Sequence, residues 1–163
     1  MKEKRIAIVP GSFDPITFGH IDIVKRALES FDKVYLAVMI NPSKNYMFTL
    51  EERKAIANVA LKDLENVEVI SSDGMLWELA LSLNACAIVK GYRNDIDLEY
   101  ERKMAEFNEA HNPKAKTVLL KANEELQELS STKVREFIKN HKGLADYIPP
   151  AAIREIEKIL GND

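Results

Sequence analysis

Between residues 11 and 20 the chain reads Gly-Ser-Phe-Asp-Pro-Ile-Thr-Phe-Gly-His, directly behind the apolar run Ile6 to Pro10. These are residue types that handle an anion. Gly11 permits a sharp turn and a close approach of ligand to backbone, Ser12 offers a hydroxyl, Pro15 stiffens the connection and Gly19 leaves space beside a helix start. His20 falls in the first turn of an amphipathic helical pattern, where backbone N–H groups and the helix dipole favour negative charge and an imidazole can donate to a phosphate oxygen. A histidine on an apolar stripe is more often a cap or a packing residue. The glycines and hydroxyls around this one favour a phosphate or nucleotide site. Neither G-x-x-x-x-G-K-S/T nor G-x-G-x-x-G occurs, which weakens the P-loop and dinucleotide readings.

Other donors stand at the ends of apolar runs: Asn41 to Lys44 after Val34 to Met39, and Lys90 to Arg93 after Ala87 to Val89. Far along the chain, Leu129-Ser130-Ser131-Thr132-Lys133-Val134-Arg135 opens another helical pattern. Its serines suit N-capping, and the same helix start suits an anion. Taken alone, Lys44 is an ordinary loop lysine, and Arg93 and Glu101 are charges that pair with neighbours on a solvated helix face. Cys86, the single cysteine, reads as a small buried hydrophobe within residues 85–89, and His111 and His141 read as surface residues with no metal-ligand partner.

The elements that must position these residues alternate. Five short apolar runs, at 6–9, 34–39, 67–70, 87–89 and 117–120, have the composition of buried parallel strands. Helical patterns lie between them, one of them opened by the capping box Thr49-Leu50-Glu51-Glu52. After the fifth run come the helix at Ser130 and a last one begun by Pro149 and Pro150. The expected fold is α/β: a Rossmann-like open parallel five-stranded sheet with helices on both faces and a C-terminal helical segment. Ligands of such sheets bind beyond the carboxyl ends of the strands, where the unusual residues gather.

The chain has 163 residues, long enough for one sizeable core, so residues 1–163 read as one domain. Lys and Arg total 23 against 26 Asp and Glu, a net charge of −3 that disfavours a nucleic-acid partner. No run approaches the length of a membrane span or a secretory leader, so a cytoplasmic protein is expected.

Residues 11 to 20 resemble the nucleotidyltransferase signature with its T-x-G-H core, and residues 129 to 135 resemble that superfamily's second motif, I-S-S-T-x-x-R. Within the superfamily, residues 22–27, 41–44, 47–53, 90–93 and 97–101 are similar, in order, to the phosphopantetheine adenylyltransferase family. That resemblance spans nearly the whole chain. It implies transfer of the adenylyl group of ATP to 4′-phosphopantetheine, giving dephospho-coenzyme A and pyrophosphate, with Mg²⁺ held mainly by phosphates and water. It also implies a homohexamer and coenzyme A as feedback inhibitor. Such a reaction needs no protein nucleophile, because a phosphate monoester is already anionic and needs chiefly positioning and relief from charge repulsion.

By the resemblance, His20 and Lys44 are the catalytic residues, His20 stabilising the transition state at the α-phosphate and Lys44 meeting the attacking phosphate. Ser12, Lys44, Leu76 and Lys90 bind the acceptor. Ser12, Phe13, His20, Gly91, Tyr92, Arg93 and Glu101 bind ATP, together with Leu126, Gln127, Glu128, Leu129, Ser130, Ser131 and Thr132. Three positions depart from the family's common pattern. Ser12 replaces threonine and keeps the hydroxyl, Lys90 replaces arginine and loses the bidentate fork, and Leu126 replaces a tryptophan that offers adenine a stacking surface. The alternatives are a mononucleotide adenylyltransferase, a cytidylyltransferase and a non-catalytic sensor of ATP or coenzyme A.

Overall fold

The computed structural model describes residues 4–123 and 130–161. Five strands form one sheet: β1 (Ile6–Gly11), β2 (Lys33–Met39), β3 (Val67–Ser72), β4 (Ala87–Tyr92) and β5 (Lys116–Lys121). All are parallel, in the order β3-β2-β1-β4-β5. The intervening helices are α1 (Phe18–Ser30), α2 (Leu50–Ala60), α3 (Leu76–Ser82) and α4 (Asp95–His111), followed by α5 (Ser131–Lys139) and α6 (Pro150–Ile159). The two-sided apolar character expected of the strands holds for the central ones, where Ala7, Ile8, Val34, Leu36, Ala37, Val38, Ile88 and Val89 are all buried. The edge strands β3 and β5 are only partly covered.

The two faces of the sheet are unequal. One carries a large core built from α1, α2, α5 and α6 against alternate strand residues such as Val9, Leu36 and Val89, with Val24, Ile56, Val134 and Ile156 fully enclosed. The other carries a small cluster around Ile8, Ala37 and Ile88, closed by Ala80 of α3 and by Ala85 and Ala115.

Strand order reverses between β1 and β4, the position at which a doubly wound sheet offers a crevice. β1 follows β2 for its whole length, from Ile6 opposite Lys33 to Gly11 opposite Val38. Against β4 it pairs only at Ala7 with Ala87 and Ile8 with Ile88. Beyond Ile8 the two strands part, and that parting opens the crevice at their carboxyl ends. No helix among the described residues is long and apolar enough to cross a membrane.

Candidate active site

Thr17 is the N-cap of α1, which makes Thr17-Phe18-Gly19-His20 the positions N-cap, N1, N2 and N3. The spacing is that of a capping box with histidine in the usual place of glutamate. The backbone N–H of His20 reaches Thr17 Oγ1 at 3.5 Å, and His20 Nδ1 accepts from the Thr17 N–H at 3.0 Å. An Nδ1 that accepts from an amide carries no proton, so the ring proton lies on Nε2 and that nitrogen is the donor. The Phe13 ring stands edge-on to the imidazole, with centroids 4.9 Å apart. His20 keeps part of its surface open to the crevice, yet burial of the ring pushes its pKa down to about 4. At neutral pH the site therefore holds a neutral imidazole whose Nε2–H is a donor fixed in direction by the Nδ1 contact.

The crevice between β1 and β4 encloses a cavity of about 380 Å³, and His20 lies on its wall with Phe13, Lys90, Tyr92, Ser130 and Ser131. Phe13, not Gly11, adopts the left-handed backbone here, at φ 49°. Gly11 has a different reason to be glycine: a Cβ on it would meet the Phe13 ring at 3.0 Å. Gly91 likewise lacks a side chain because α1 passes close by, and a Cβ there would lie 3.1 Å from Ile23. Both glycines let large apolar side chains close the cavity from beneath.

Every charged side chain lining this cavity has an opposite partner. Lys90 Nζ lies 2.5 Å from Glu101 Oε2, with both side chains largely enclosed. Arg93 Nε donates to Asp97 Oδ2 at 3.3 Å, as does the Arg93 backbone N–H. The helix carrying both acids starts at Asn94, whose side chain accepts from the Asp97 N–H.

α5 closes the cavity from the far end of the chain. Ser130 caps it by accepting from the Lys133 N–H at 3.1 Å, and Ser131 Oγ donates to Pro15 O at 2.8 Å. Arg135 Nη1 donates to Asp14 O at 2.8 Å, and its Nη2 donates to Thr132 Oγ1 at 3.0 Å. The two motifs, more than 100 residues apart in sequence, thus form one wall, with the start of α5 set against the loop before α1.

A second cavity lies on the other side of that loop, lined by Ser12, Asp14, Lys44, Asn45, Tyr46, Thr132 and Arg135. Lys44 Nζ donates to Ser12 Oγ at 3.4 Å and has no carboxylate partner among the described residues. Tyr46 Oη accepts from the Asn41 N–H at 3.0 Å. Burial opposes ionisation of this phenol, but its hydrogen bonds with Ser12 and Asn41 and the charges of Arg53 and Lys44 carry its pKa below the ordinary value.

The residues inferred from the sequence divide between the two cavities. Phe13, His20, Lys90, Gly91, Tyr92, Arg93, Glu101, Ser130 and Ser131 line the first; Ser12, Lys44 and Thr132 line the second. Leu76 lines neither: it begins α3 and packs against the small core cluster. Leu126, Gln127, Glu128 and Leu129 lie outside the described residues.

Sequence reasoning passed over Thr17, Tyr46, Asp97 and the buried Asp14. Asp14 accepts from the Met47 and Phe48 N–H groups at 2.9 and 3.0 Å and so ties the loop before α1 to the segment before α2. A threonine three residues before His20 was a readable capping signal. For Asp14 no local signal exists. Cys86 is half-buried at the edge of the large core, and His111 is a surface residue stacked on Trp77.

Residues 8–137 match the family model described as cytidylyltransferase-like. The chain is 43% identical to the phosphopantetheine adenylyltransferase of Lactobacillus helveticus over 159 residues, covering 97% of both chains. It is 44% identical to the enzyme of that name from Caldanaerobacter subterraneus subsp. tengcongensis, over 94% of this chain and 97% of the relative. For the one from Alkaliphilus metalliredigens the identity is 42%, over 94% and 98%.

Proposed function

The chain belongs to the phosphopantetheine adenylyltransferases, within the cytidylyltransferase-like nucleotidyltransferases, and we infer from its cavities how it carries out their reaction. It is a nucleotidyltransferase that moves the adenylyl group of ATP to 4′-phosphopantetheine in coenzyme A biosynthesis, releasing pyrophosphate and dephospho-coenzyme A. The observation that carries the mechanism is the pair of cavities meeting at the loop from Ser12 to His20, one of nucleotide size and one cationic.

ATP occupies the cavity between β1 and β4, with its adenosine against Gly91, Tyr92 and Arg93. Its phosphates run toward Ser130 and Ser131 at the start of α5, where spare N–H groups and the dipole receive negative charge. The phosphate of the acceptor lies between Ser12 and Lys44, with Thr132 and Arg135 opposite. From there one of its oxygens attacks the α-phosphorus in line and pyrophosphate departs, with no covalent enzyme intermediate. The Nε2–H of His20 donates to an α-phosphate oxygen as charge builds in the transition state, and it does so as a neutral donor. Lys44 offsets the repulsion between the two reacting anions.

Mg²⁺ fits as an ion carried by phosphate oxygens and water, because Asp97 and Glu101, the acids facing the nucleotide cavity, already pair with Arg93 and Lys90. When bound it would neutralise charge on the leaving pyrophosphate. Coenzyme A shares the pantetheine arm and the nucleotide of the product, so it competes for both cavities as a feedback inhibitor.

The large core is continuous from β1 to α6, which supports one domain. The opposite face supports self-association into the hexamer the family resemblance implies. Met75, Leu81, Ile96, Tyr100, Met104 and Phe107 are all exposed on or beside α3 and α4, with Ile96 83% accessible, and such a patch is unusual for a monomer.

The test is direct. Purified protein given ATP, Mg²⁺ and 4′-phosphopantetheine is expected to release pyrophosphate and form dephospho-coenzyme A. Turnover with nicotinate mononucleotide in place of phosphopantetheine would overturn the assignment.

A further inference from the structure

Behind the cationic cavity lies a charge that the mechanism above does not use. Arg53, in the first turn of α2, is only 2% exposed. Its Nη1 donates to Ser12 O at 2.9 Å and to Met39 O at 3.2 Å, joining the loop after β1 to the last residue of β2. Its Cζ sits 3.9 Å from the centroid of the Tyr46 ring. Nε is buried without any hydrogen-bond partner. No carboxylate comes within 4.0 Å of the guanidinium among the described residues. Asp14 has spent its oxygens on Met47, Phe48 and Arg135.

A guanidinium cannot shed its proton, and a buried cation met only by two carbonyls and the face of the Tyr46 ring, with no carboxylate, is costly to the folded chain. Such an arrangement is explicable where an anion arrives to complete it. The groups Arg53 touches are those that build the cavity, since Ser12 and Tyr46 both line it and Lys44 leans on the Ser12 hydroxyl. Together Lys44, Arg53 and Arg135 set three cations against the single carboxylate of Asp14.

We propose that Arg53 is a positioning residue of the acceptor site: its bonds to the Ser12 and Met39 carbonyls set the loop that receives the acceptor's phosphate, and its buried charge is completed by that dianion. This rests on the functional reading above. Arg53 does not touch the substrate; it acts through Ser12, through Tyr46 and through space.

The experiment measures KM for each substrate separately in Arg53→Gln and Arg53→Lys, alongside thermal melting with and without 4′-phosphopantetheine. Arg53→Gln is expected to raise KM for phosphopantetheine tenfold or more, to leave KM for ATP within twofold, and to abolish the melting shift given by phosphopantetheine. Arg53→Lys, which keeps the charge without the fork, is expected to lose about threefold and to show a KM for phosphopantetheine that climbs more steeply with salt. A purely structural role would move both KM values in parallel. Parallel changes, or no change in either KM in a folded variant, would overturn the proposal. If Arg53→Gln does not fold, the same criteria apply to Arg53→Lys alone. A wild-type protein that fails to convert the two substrates defeats the functional reading and this inference together, whereas a working wild type with unaltered variants defeats this inference only.

Discussion

In the cavity between β1 and β4, Lys90 is matched by Glu101 and Arg93 by Asp97. Across the loop, Lys44 leans on a hydroxyl and Arg53 on two carbonyls and the Tyr46 ring, and Asp14 is the one carboxylate among them. On the proposed reading, the difference suits the two substrates. A cavity whose own charges cancel recognises by shape, by backbone donors and by the dipole of a helix start, which suits a nucleotide. A cavity left cationic recognises by charge, which suits a compact dianion.

The largest break in this arrangement is expected where the two cavities meet. His20→Ala removes the donor that the proposed mechanism directs at the α-phosphate, and kcat should fall by about 10²–10³, roughly 3–4 kcal/mol. ATP affinity, measured by calorimetry without the acceptor, should hardly move. Equal losses of binding and turnover would make His20 a ground-state ligand instead.

The matched pair offers a sharper test. Lys90→Met leaves Glu101 as a bare carboxylate lining the first cavity, and if ATP binds there its KM should rise about tenfold, on the order of 1.4 kcal/mol. Adding Glu101→Gln should restore most of that loss, because both charges are then gone. If the double variant is no better than the single and KM for phosphopantetheine rises instead, Lys90 contacts the acceptor itself, as the family resemblance implies.

The smallest effect concerns pH. Burial holds the His20 pKa at about 4, against an ordinary 6.5 in the unfolded chain. Between those values the unfolded state binds the proton and the folded state does not, so stability rises with pH across that window and is lost as pH falls toward 4. From pH 7 to pH 6 this should cost less than about 1 kcal/mol. Denaturant titrations of wild type and His20→Gln at both pH values check it, and an imidazole NMR titration with a midpoint near 6.5 would contradict it.

Much of this site was legible in the chain before folding. The run from Gly11 to His20 reads as an anion site and Ser130 as a helix start, and the structure sets the two against each other. Arg53 was not legible: within Thr49 to Arg53 it reads as one more charge on a solvated helix start, and only the approach of β2's end to the loop after β1 buries it. Glu101 belongs to a charged run whose other members face solvent, and its pairing with Lys90 depends on how α4 lies over β4. Gly11 advertised freedom to turn, yet it serves close packing against Phe13, as Gly91 does against Ile23 of α1.

What the sequence determined by itself is what acts over a few residues: the alternation of strand and helix, the capping boxes at Thr17 and Thr49, and the kinds of group available to hold a phosphate. These follow from periodicity and from hydrogen bonds within one turn. Only the tertiary structure decided that β1 and β4 part beyond Ile8, that Arg135 reaches Asp14, and which cations find a carboxylate. The reason is that charge interacts through space, with a strength set by distance and surroundings, and neither is written in the order of residues along the chain.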